Sequence, residues 1–318
     1  MSGFTITAGV SFSGGFTFTE APVENTAAWF GGGYWGGNPT GRLSSVQRII
    51  FATDTATGSI RGPLSVARSN ANAVANTVYG WFAGGIISWG YPFDLASSIE
   101  RITYATDTAA TSTRGPLSGG RFQFASAGNT YDGWFGGGYE ISRVDRITYA
   151  TDTATASIRG PLSVNRRSAG GAGNITDGWF AGSAYIDYPS SPAKSSVDRI
   201  TYATDTATAS VRGPLSSPRG AVAGVGNTSN GWFSGGGTST VDRITWATDT
   251  ENASVRGPLG GTGSFSAAGN STDGWWGPGP IFRITFATDT DTASTRGSLN
   301  NSPTRNIGSS MACAGGIQ

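Results

Sequence analysis

Residues 197–215 read VDRITYATDTATASVRGPL, and near copies of this stretch occur six times in the 318-residue chain. The arginine that opens its RI(T/I) core recurs at intervals of 53, 45, 53, 44 and 40 residues. The RG(P/S)L element that ends each copy keeps the same five intervals, so each copy is one rigid unit and the length variation lies outside it. A period of this size, rich in short β-type runs, is typical of a propeller or a solenoid.

The composition excludes several classes of protein. Fifty glycines argue against helices, because glycine costs about 1 kcal/mol relative to alanine inside a helix. A net charge of +1 gives no basic field for nucleic acid. The chain has no histidine, the commonest general base and transition-metal ligand, and its single cysteine, Cys313, cannot form an internal disulfide. No apolar run is long enough for a membrane span, and residues 1–20 lack the pattern of a secretory signal peptide, so neither is expected.

One complete unit is seen at residues 219–259, where four β-type runs follow one another. They are AVAGVGN at 221–227, GWFSGGG at 231–237, VDRITWATDT at 241–250 and ASVRGPL at 253–259. Asn- and Gly-rich turns separate the runs. This order predicts a four-stranded antiparallel meander, which is the usual blade of a propeller.

The strand types are counted around the chain to give the number of blades. The GWF type occurs six times, but its first copy, at 27–33, has no small-residue strand before it, and the sixth small-residue strand lies at 305–316. We therefore predict an all-β, six-bladed propeller over residues 26–318, closed by pairing of the C-terminal strand with the N-terminal blade.

Residues 4–19 alternate apolar residues with Ser, Thr or Gly and show no sign of the repeat. This pattern predicts that residues 1–25 form a β-type attachment arm that docks on a neighbouring subunit by edge addition. The alternative is a disordered or locally paired tail.

The charges that recur in every unit are interpreted as a structural framework. Arginine forms bidentate bonds with carboxylates in a fixed geometry, which suits an ion-pair network. An isolated carboxylate in each TDT turn falls short of the several oxygen ligands that calcium needs, so no metal site is predicted. The framework residues are Arg48, Arg101, Arg146, Arg199, Arg243, Arg283, Asp54, Asp107, Asp152, Asp205, Asp249 and Asp289.

The loops between the second and third strands are long in three units, at 34–46, 86–98 and 184–196. In a meander blade they emerge on the same face as the connections between blades, and binding residues commonly lie on loops held by a rigid scaffold. Aromatic rings there suit sugars or protein hot spots, so we predict a ligand-binding face; the alternative is that these rings only cover the glycine-rich strands. The candidates are Tyr34, Trp35, Trp89, Tyr91, Phe93, Tyr185, Asp187 and Tyr188.

The glycine pairs that end the second strand and the aromatic residue in the third make the unit resemble a divergent kelch-type repeat. The wording DRITYATDTATASVRGPLS, together with DGWFGGGY, also resembles repeat proteins of tailed-phage virions, notably of phages that infect cyanobacteria. The resemblance covers about residues 27–316. It implies a virion component of the tail or a fibre, made in the host cytoplasm, and it brings no catalytic residues.

Enzymatic activity is not expected. Kelch-type copper oxidases bind their metal through histidine, which is absent here. A glycosidase needs two carboxylates across a cleft, and nothing in the sequence pairs Asp94, Glu140 or Asp187. We therefore predict no cofactor, no nucleic acid and no membrane insertion.

The combined hypothesis is a virion protein that binds a host-surface glycan or protein through its aromatic loops and other virion proteins through residues 1–25. One alternative is a scaffold or decoration protein of the virion without its own ligand. A second is a bacterial lectin-like or sugar-processing propeller.

Overall fold

The structure, a computed structural model, describes residues 25–34, 41–88, 90, 92–184, 192–277 and 279–300, and the backbone of 311–314. The predicted arm, residues 1–25, lies outside the described residues except for Asn25. The described residues form six four-stranded sheets, one two-stranded hairpin and six single turns of 3₁₀ helix, with no α-helix among them. The predicted all-β, six-bladed propeller is confirmed.

The first three blades run from the start of the described chain to residue 159. In blade 2 a small hairpin, β6 and β7, is inserted between the second and third strands. Their strands are β1 (Ala27–Gly32), β2 (Val46–Ile50) and β3 (Ser59–Arg61) in blade 1; β4 (Asn72–Ala75), β5 (Tyr79–Ala83), β6 (Ile86–Ser88), β7 (Asp94–Leu95), β8 (Ile99–Thr103) and β9 (Ser112–Arg114) in blade 2; and β10 (Ala125–Gly128), β11 (Asp132–Gly136), β12 (Val144–Thr148) and β13 (Ser157–Arg159) in blade 3.

The last three blades repeat the meander, and one further strand returns to blade 1. The strands are β14 (Gly170–Gly173), β15 (Asp177–Ser183), β16 (Lys194–Thr201) and β17 (Ser210–Arg212) in blade 4; β18 (Val222–Gly226), β19 (Asn230–Gly235), β20 (Val241–Thr245) and β21 (Ser254–Arg256) in blade 5; β22 (Ser266–Gly269), β23 (Asp273–Gly277), β24 (Pro280–Thr285) and β25 (Ser294–Ser298) in blade 6; and β26 (Met311–Ala314). The 3₁₀ turns are Phe51–Thr53, Tyr104–Thr106, Tyr149–Thr151, Tyr202–Thr204, Trp246–Thr248 and Phe286–Thr288.

Strand β26 closes the ring. It pairs antiparallel with β1, with Gly32 opposite Met311 and Trp29 opposite Ala314. On its other side β1 pairs with β2, so blade 1 has the sheet order β26, β1, β2, β3. The predicted closure by a C-terminal strand is confirmed.

The inner strands of the blades surround a central channel of about 150 Å³. They consist of small residues because six of them converge on one axis. A Cβ atom on Gly171 in blade 4, for example, would lie 2.0 Å from the carbonyl oxygen of Ser126 in blade 3. The described lining of the channel is backbone with Ala, Gly, Val, Ser, Phe, Asn and Gln side chains, none of which titrates near neutral pH.

The Trp-Phe pair of the second strand forms the core between blades. The Trp side chain packs against the next blade, and the Phe side chain packs against the preceding blade. Trp29 of blade 1 stacks on Tyr104 of blade 2, with ring centroids 3.8 Å apart. Phe82 of blade 2 packs back against Gly31 of blade 1, where a Cβ atom would lie 2.7 Å from the ring. The alternation of a large aromatic and a glycine therefore follows from the packing of one blade onto the next.

The two ends of the propeller differ in what they carry. One end, here called the turn face, holds the 3₁₀ turns beside the Asn-led hairpin turns, as where the Tyr104 N–H donates to the Val78 carbonyl. The other end, called the loop face, holds the loops between second and third strands and the connections between blades. These are bonded together, since Gly33 N–H donates to Arg68 C=O and Arg68 N–H to Leu43 C=O. In the described part of the chain, no helix is long and apolar enough to span a membrane.

Candidate functional site

Six turn-face clusters join consecutive blades around the ring. In the cluster between blades 4 and 5, Oδ2 of Asp249 accepts a hydrogen bond from Trp179 Nε1 at 2.8 Å and pairs with Arg199 Nη1 at 3.0 Å and Arg212 Nε at 3.4 Å. The aspartate comes from one blade, and the tryptophan and the two arginines come from the blade before it. The other five clusters are Asp107 with Trp29, Arg48 and Arg61; Asp152 with Trp81, Arg101 and Arg114; Asp205 with Trp134, Arg146 and Arg159; Asp289 with Trp232, Arg243 and Arg256; and Asp54 with Trp275, Arg283 and Arg296.

Each cluster is reinforced by two further contacts across the same seam. The tryptophan stacks on the aromatic residue that opens the next blade's 3₁₀ turn, at centroid distances of 3.7 to 4.0 Å in all six seams. The glycine of the RG(P/S)L element donates its N–H to the carbonyl of the same aspartate, as Gly213 does to Asp249 at 2.8 Å. Because the six carboxylates are 4 to 7% exposed and each contacts a tryptophan and two arginines of the preceding blade, their role in the described structure is to join blades.

A second series of ion pairs lies on the loop face, and the sequence analysis missed it. Arg166, in the connection from blade 3 to blade 4, pairs with Asp198 of blade 4 through Nη2 and Oδ1 at 3.0 Å, and both side chains are fully buried. Equivalent pairs are Arg68 with Glu100, Arg121 with Asp145 and Arg219 with Asp242. Burial lowers the pKa of Arg68, Arg121 and Arg219, partly offset by the neighbouring carboxylate. The signal was an arginine four residues after the leucine of RGPL, present in four connections.

The other two seams replace this ion pair on both sides at once. Between blades 5 and 6 the arginine position is Gly263 and the acid is replaced by Phe282, whose ring meets Phe265 edge-on at 6.1 Å. Between blades 6 and 1 the acid is replaced by Gln47, whose Nε2 donates to Asn300 C=O at 2.8 Å. In the sequence both positions have lost their charges together, Gly263 with Phe282 and Pro303 with Gln47, as the cost of an unpaired buried ion requires.

The predicted loop residues are only partly covered by the structure. Trp35, Trp89, Tyr91, Tyr185, Asp187 and Tyr188 lie outside the described residues. Tyr34 forms an isolated antiparallel bridge with Arg42 in blade 1. Phe93, in the loop of blade 2, is 37% exposed and meets Phe122 edge-on at 5.6 Å.

Phe93 belongs to an aromatic group at the loop-face seam of blades 2 and 3. Phe122 is buried in the connection between these blades and stacks on Tyr139 of the next loop, with centroids 5.6 Å apart and planes 16° apart. The guanidinium carbon of Arg167 lies 4.9 Å from the centre of the Tyr139 ring. Beside this group is a cavity of about 170 Å³, here called the blade 2/3 cleft, which is lined by Leu95, Gly120, Arg121, Phe122, Tyr139, Ile141 and Arg143.

Two residues of this cleft, Arg143 and Phe122, depart from the repeat. Arg143 stands three residues before the repeat arginine, where the other blades have Ser45, Ser98, Ser196, Thr240 and Pro280. Phe122 follows the connection arginine, where Ser69, Arg167 and Gly220 stand in other connections. Tyr139 is shared with Tyr34 of blade 1 and is matched by Ala184 and Gly237 in blades 4 and 5. Framework positions recur in every blade, so residues that break the pattern at one seam are the better candidates for a function.

Among the described residues no group of three or more His, Cys, Asp or Glu side chains is placed to hold a metal ion. No known protein-family model matches this chain, and no curated protein matches it either. The function is therefore inferred from the geometry of the chain itself.

Proposed function

We propose that this protein is a non-enzymatic structural component of a tailed-phage virion, in the tail or a fibre, and that it binds the host surface through the loop face of its propeller. The repeat wording that resembles cyanophage virion proteins supports the phage origin, and the glycine pairs of the second strand with the aromatic residue of the third support the kelch-like assignment. In this proposal residues 1–25 attach the propeller to other virion proteins. The ligand is a surface glycan or protein of the host cell.

The observation that carries the binding role is the aromatic group at the blade 2/3 cleft. Phe93 and Tyr139 are 37% and 38% exposed, although buried Phe122 holds them in place. Rigid aromatic rings contribute large contact areas at low entropic cost, and scaffold-mounted loops are a common place for binding sites. The turn-face clusters supply that rigid scaffold.

The chemistry of the cleft supports binding rather than catalysis. Its lining has two arginines and two aromatic rings but no carboxylate among the described residues. Asp145 is fully buried, accepts hydrogen bonds from Ser118 and pairs with Arg121, and the exposed Glu140, between Tyr139 and Ile141 in the chain, is a single carboxylate outside the lining. Hydrolysis of a glycosidic bond needs two accessible carboxylates on opposite sides of the substrate.

A scaffold or decoration role is the second candidate, and the turn face supports it. Val78, Tyr131 and Ile175, at the hairpin turns of three consecutive blades, are 48%, 70% and 51% exposed. Exposed apolar side chains on neighbouring turns suit a protein partner. In this case the propeller would be held by its turn face within the particle and would need no ligand of its own.

The test is sedimentation of the purified full chain with intact cells from a panel of cyanobacterial strains. The loop-face variant carries Phe93→Ser, Phe122→Ser and Tyr139→Ala, two of which introduce residues found at the equivalent positions of other blades. The matched control is Tyr131→Ser on the turn face, where blade 5 has Ser229. Circular dichroism checks that each variant is folded.

Host adhesion predicts that the wild-type chain and the Tyr131→Ser variant sediment with cells, while the loop-face variant stays in the supernatant. Binding that survives in the loop-face variant and is lost in Tyr131→Ser would move the interaction to the turn face. If the folded wild-type chain binds no strain of the panel, adhesion by this chain is wrong and the scaffold role is favoured.

A further inference from the structure

We infer that the blade 2/3 cleft binds an acidic saccharide, with Arg143 pairing with the carboxylate of a uronic acid residue and Tyr139 packing against its ring. This inference deepens the proposed recognition function and rests on it. It names the class of ligand and the residue that selects it.

Positive and negative charges are not balanced at the cleft. Asp145 is fully buried and pairs with Arg121, while Ser118 donates both its N–H and its hydroxyl to the same carboxylate. Arg143 contacts Asp145 between Nε and Oδ1 at 3.4 Å, without a hydrogen bond from that Nε. One carboxylate thus faces two guanidinium groups. The exposed Glu140, next to Tyr139 in the chain, and Arg167, over the Tyr139 ring, add one charge of each sign, so one positive charge stays in excess where a ligand anion can compensate it.

Arg143 is accessible to solvent. Its side chain is 31% exposed, whereas that of Arg121 is 1% exposed and donates to the carbonyls of Phe135 and Arg143. The Nη2 atom of Arg143 lies against Gly119, where a Cβ atom would be only 3.1 Å away. A side chain at position 119 would crowd this guanidinium, whose planar fork matches the geometry of a carboxylate.

Aromatic side chains form an apolar wall beside the guanidinium group of Arg143. Tyr139 is 38% exposed and is held by its stack with Phe122, and Phe93 extends the aromatic surface outward. The C–H face of a pyranose ring is apolar and packs well on an aromatic ring. The cleft, of about 170 Å³, has room for one sugar ring and is open to solvent, so further sugar units of a longer chain can lie outside it.

The fold does not need an arginine at position 143. Ser98 and Ser196 occupy the same position in blades 2 and 4, and their hydroxyls accept hydrogen bonds from the buried Arg68 and Arg166. Serine at position 143 would therefore meet Arg121 in the way that these blades already use. The arginine removes a framework bond and adds an accessible cation, which is the pattern of a binding residue.

The experiment is calorimetric titration of the full chain with a galacturonic acid trimer, with its neutral methyl ester and with a sulfated galactose trimer. The variant is Arg143→Ser, and the control is Lys194→Ser, which removes the same charge from blade 4 outside the cleft. We expect the wild-type chain and the control to bind the acidic trimer at least tenfold more tightly than the ester. The Arg143→Ser variant should lose that preference, and added salt should weaken wild-type binding.

Equal affinity of the wild-type chain for the acid and the ester, or unchanged affinity in Arg143→Ser, would overturn the inference. Tighter binding of the sulfated trimer would reassign the site to a sulfate. The same proteins are tested in the cell-sedimentation assay, which separates the two proposals. Cell binding that persists without any affinity for the uronide overturns only the ligand class, whereas uronide binding without cell binding overturns only host adhesion.

Discussion

The turn face and the loop face are built from the same six repeats, but the contacts between blades are uniform on the turn face and variable on the loop face. On the turn face every seam has the same tryptophan, two arginines and aspartate in nearly the same geometry. On the loop face four seams have a buried arginine and acid, one has two phenylalanines and one has a glutamine that bonds to a backbone. The loop-face contact therefore varies while the turn-face contact does not.

This difference separates two kinds of variation. Between blades 5 and 6, and between blades 6 and 1, the arginine and the acid change together, so the variation is compensated. At the blade 2/3 cleft Arg143 is added to a complete ion pair and forms an ion pair with no other acid of the described residues. Compensated change preserves a scaffold, and uncompensated change on top of a preserved scaffold points to a ligand.

The largest expected effect comes from breaking one loop-face ion pair on one side only. Arg166→Met leaves Asp198 fully buried without its cation, and we expect a loss of about 3–5 kcal/mol in the free energy of unfolding. Urea titration measures this loss. In the double variant Arg166→Met, Asp198→Leu the loss should be clearly smaller than the sum of the two single losses. Additive losses would contradict the view that the two positions vary as a pair.

A smaller loss is expected from the glycine of the turn-face cluster. In Gly213→Ala the new Cβ atom would lie 1.8 Å from the Glu251 carbonyl oxygen of the next blade, so the two blades must separate. We expect a destabilisation of about 3 kcal/mol, measured by urea unfolding. Gly90→Ala is the control, since its Cβ atom would meet nothing closer than 3.6 Å. Similar stabilities for both variants would show that the seam tolerates a wider gap.

Two tryptophans of the second strands, Trp232 and Trp276, differ in whether the indole N–H donates a hydrogen bond. Trp232→Phe keeps a stacked ring but removes the N–H that donates to Asp289, which should cost about 2 kcal/mol because the acceptor is charged. Trp276→Phe is the matched control, because its Nε1 has no hydrogen-bond partner among the described residues and five other blades have phenylalanine there. Equal losses in thermal unfolding would argue that ring size, and not the hydrogen bond, decides.

The smallest effect at neutral pH is expected for the buried tyrosines of the 3₁₀ turns. Burial raises the pKa of Tyr149 and Tyr202 well above the ordinary value, so the folded state favours the neutral rings. Their contribution is fully present below about pH 10 and is lost as the pH rises beyond it, toward the raised values. The double variant Tyr149→Phe, Tyr202→Phe should cost less than about 1 kcal/mol at pH 7 and show a shallower fall of the melting temperature above about pH 10. A fall as steep as that of the wild-type protein would exclude these two rings as its cause.

The sequence predicted the ring because the fold depends on what each repeat shares. The period, the four strand types and the missing first strand of blade 1 were enough to predict six blades and the pairing of β26 with β1. The partners of the repeated charges were not visible, because Asp249 meets Arg199 only after two sheets have packed. Identical spacing in every copy gave no sign of which copy supplies which partner.

The candidate site was harder to predict, for a physical reason. Composition drew attention to aromatic residues in the long loops, yet Tyr139 lies in a short loop and Phe122 in a connection between blades. They meet Phe93 only because adjacent blades bring a loop and a connection together on one face. Comparing each position with its counterparts in the other blades would have marked Phe122 and Arg143 from the sequence alone.

Each turn-face aspartate contacts side chains of the preceding blade, and this arrangement affects how the molecule unfolds. In a linear array of repeats the two end units have one neighbour each, so they fray first and unfolding proceeds in steps. Here Asp54 of blade 1 completes the cluster of blade 6, and so no blade in the ring is an end unit. Losing any one blade removes a carboxylate from one neighbour and its donors from the other. We therefore expect calorimetry to show a single cooperative transition for all six blades.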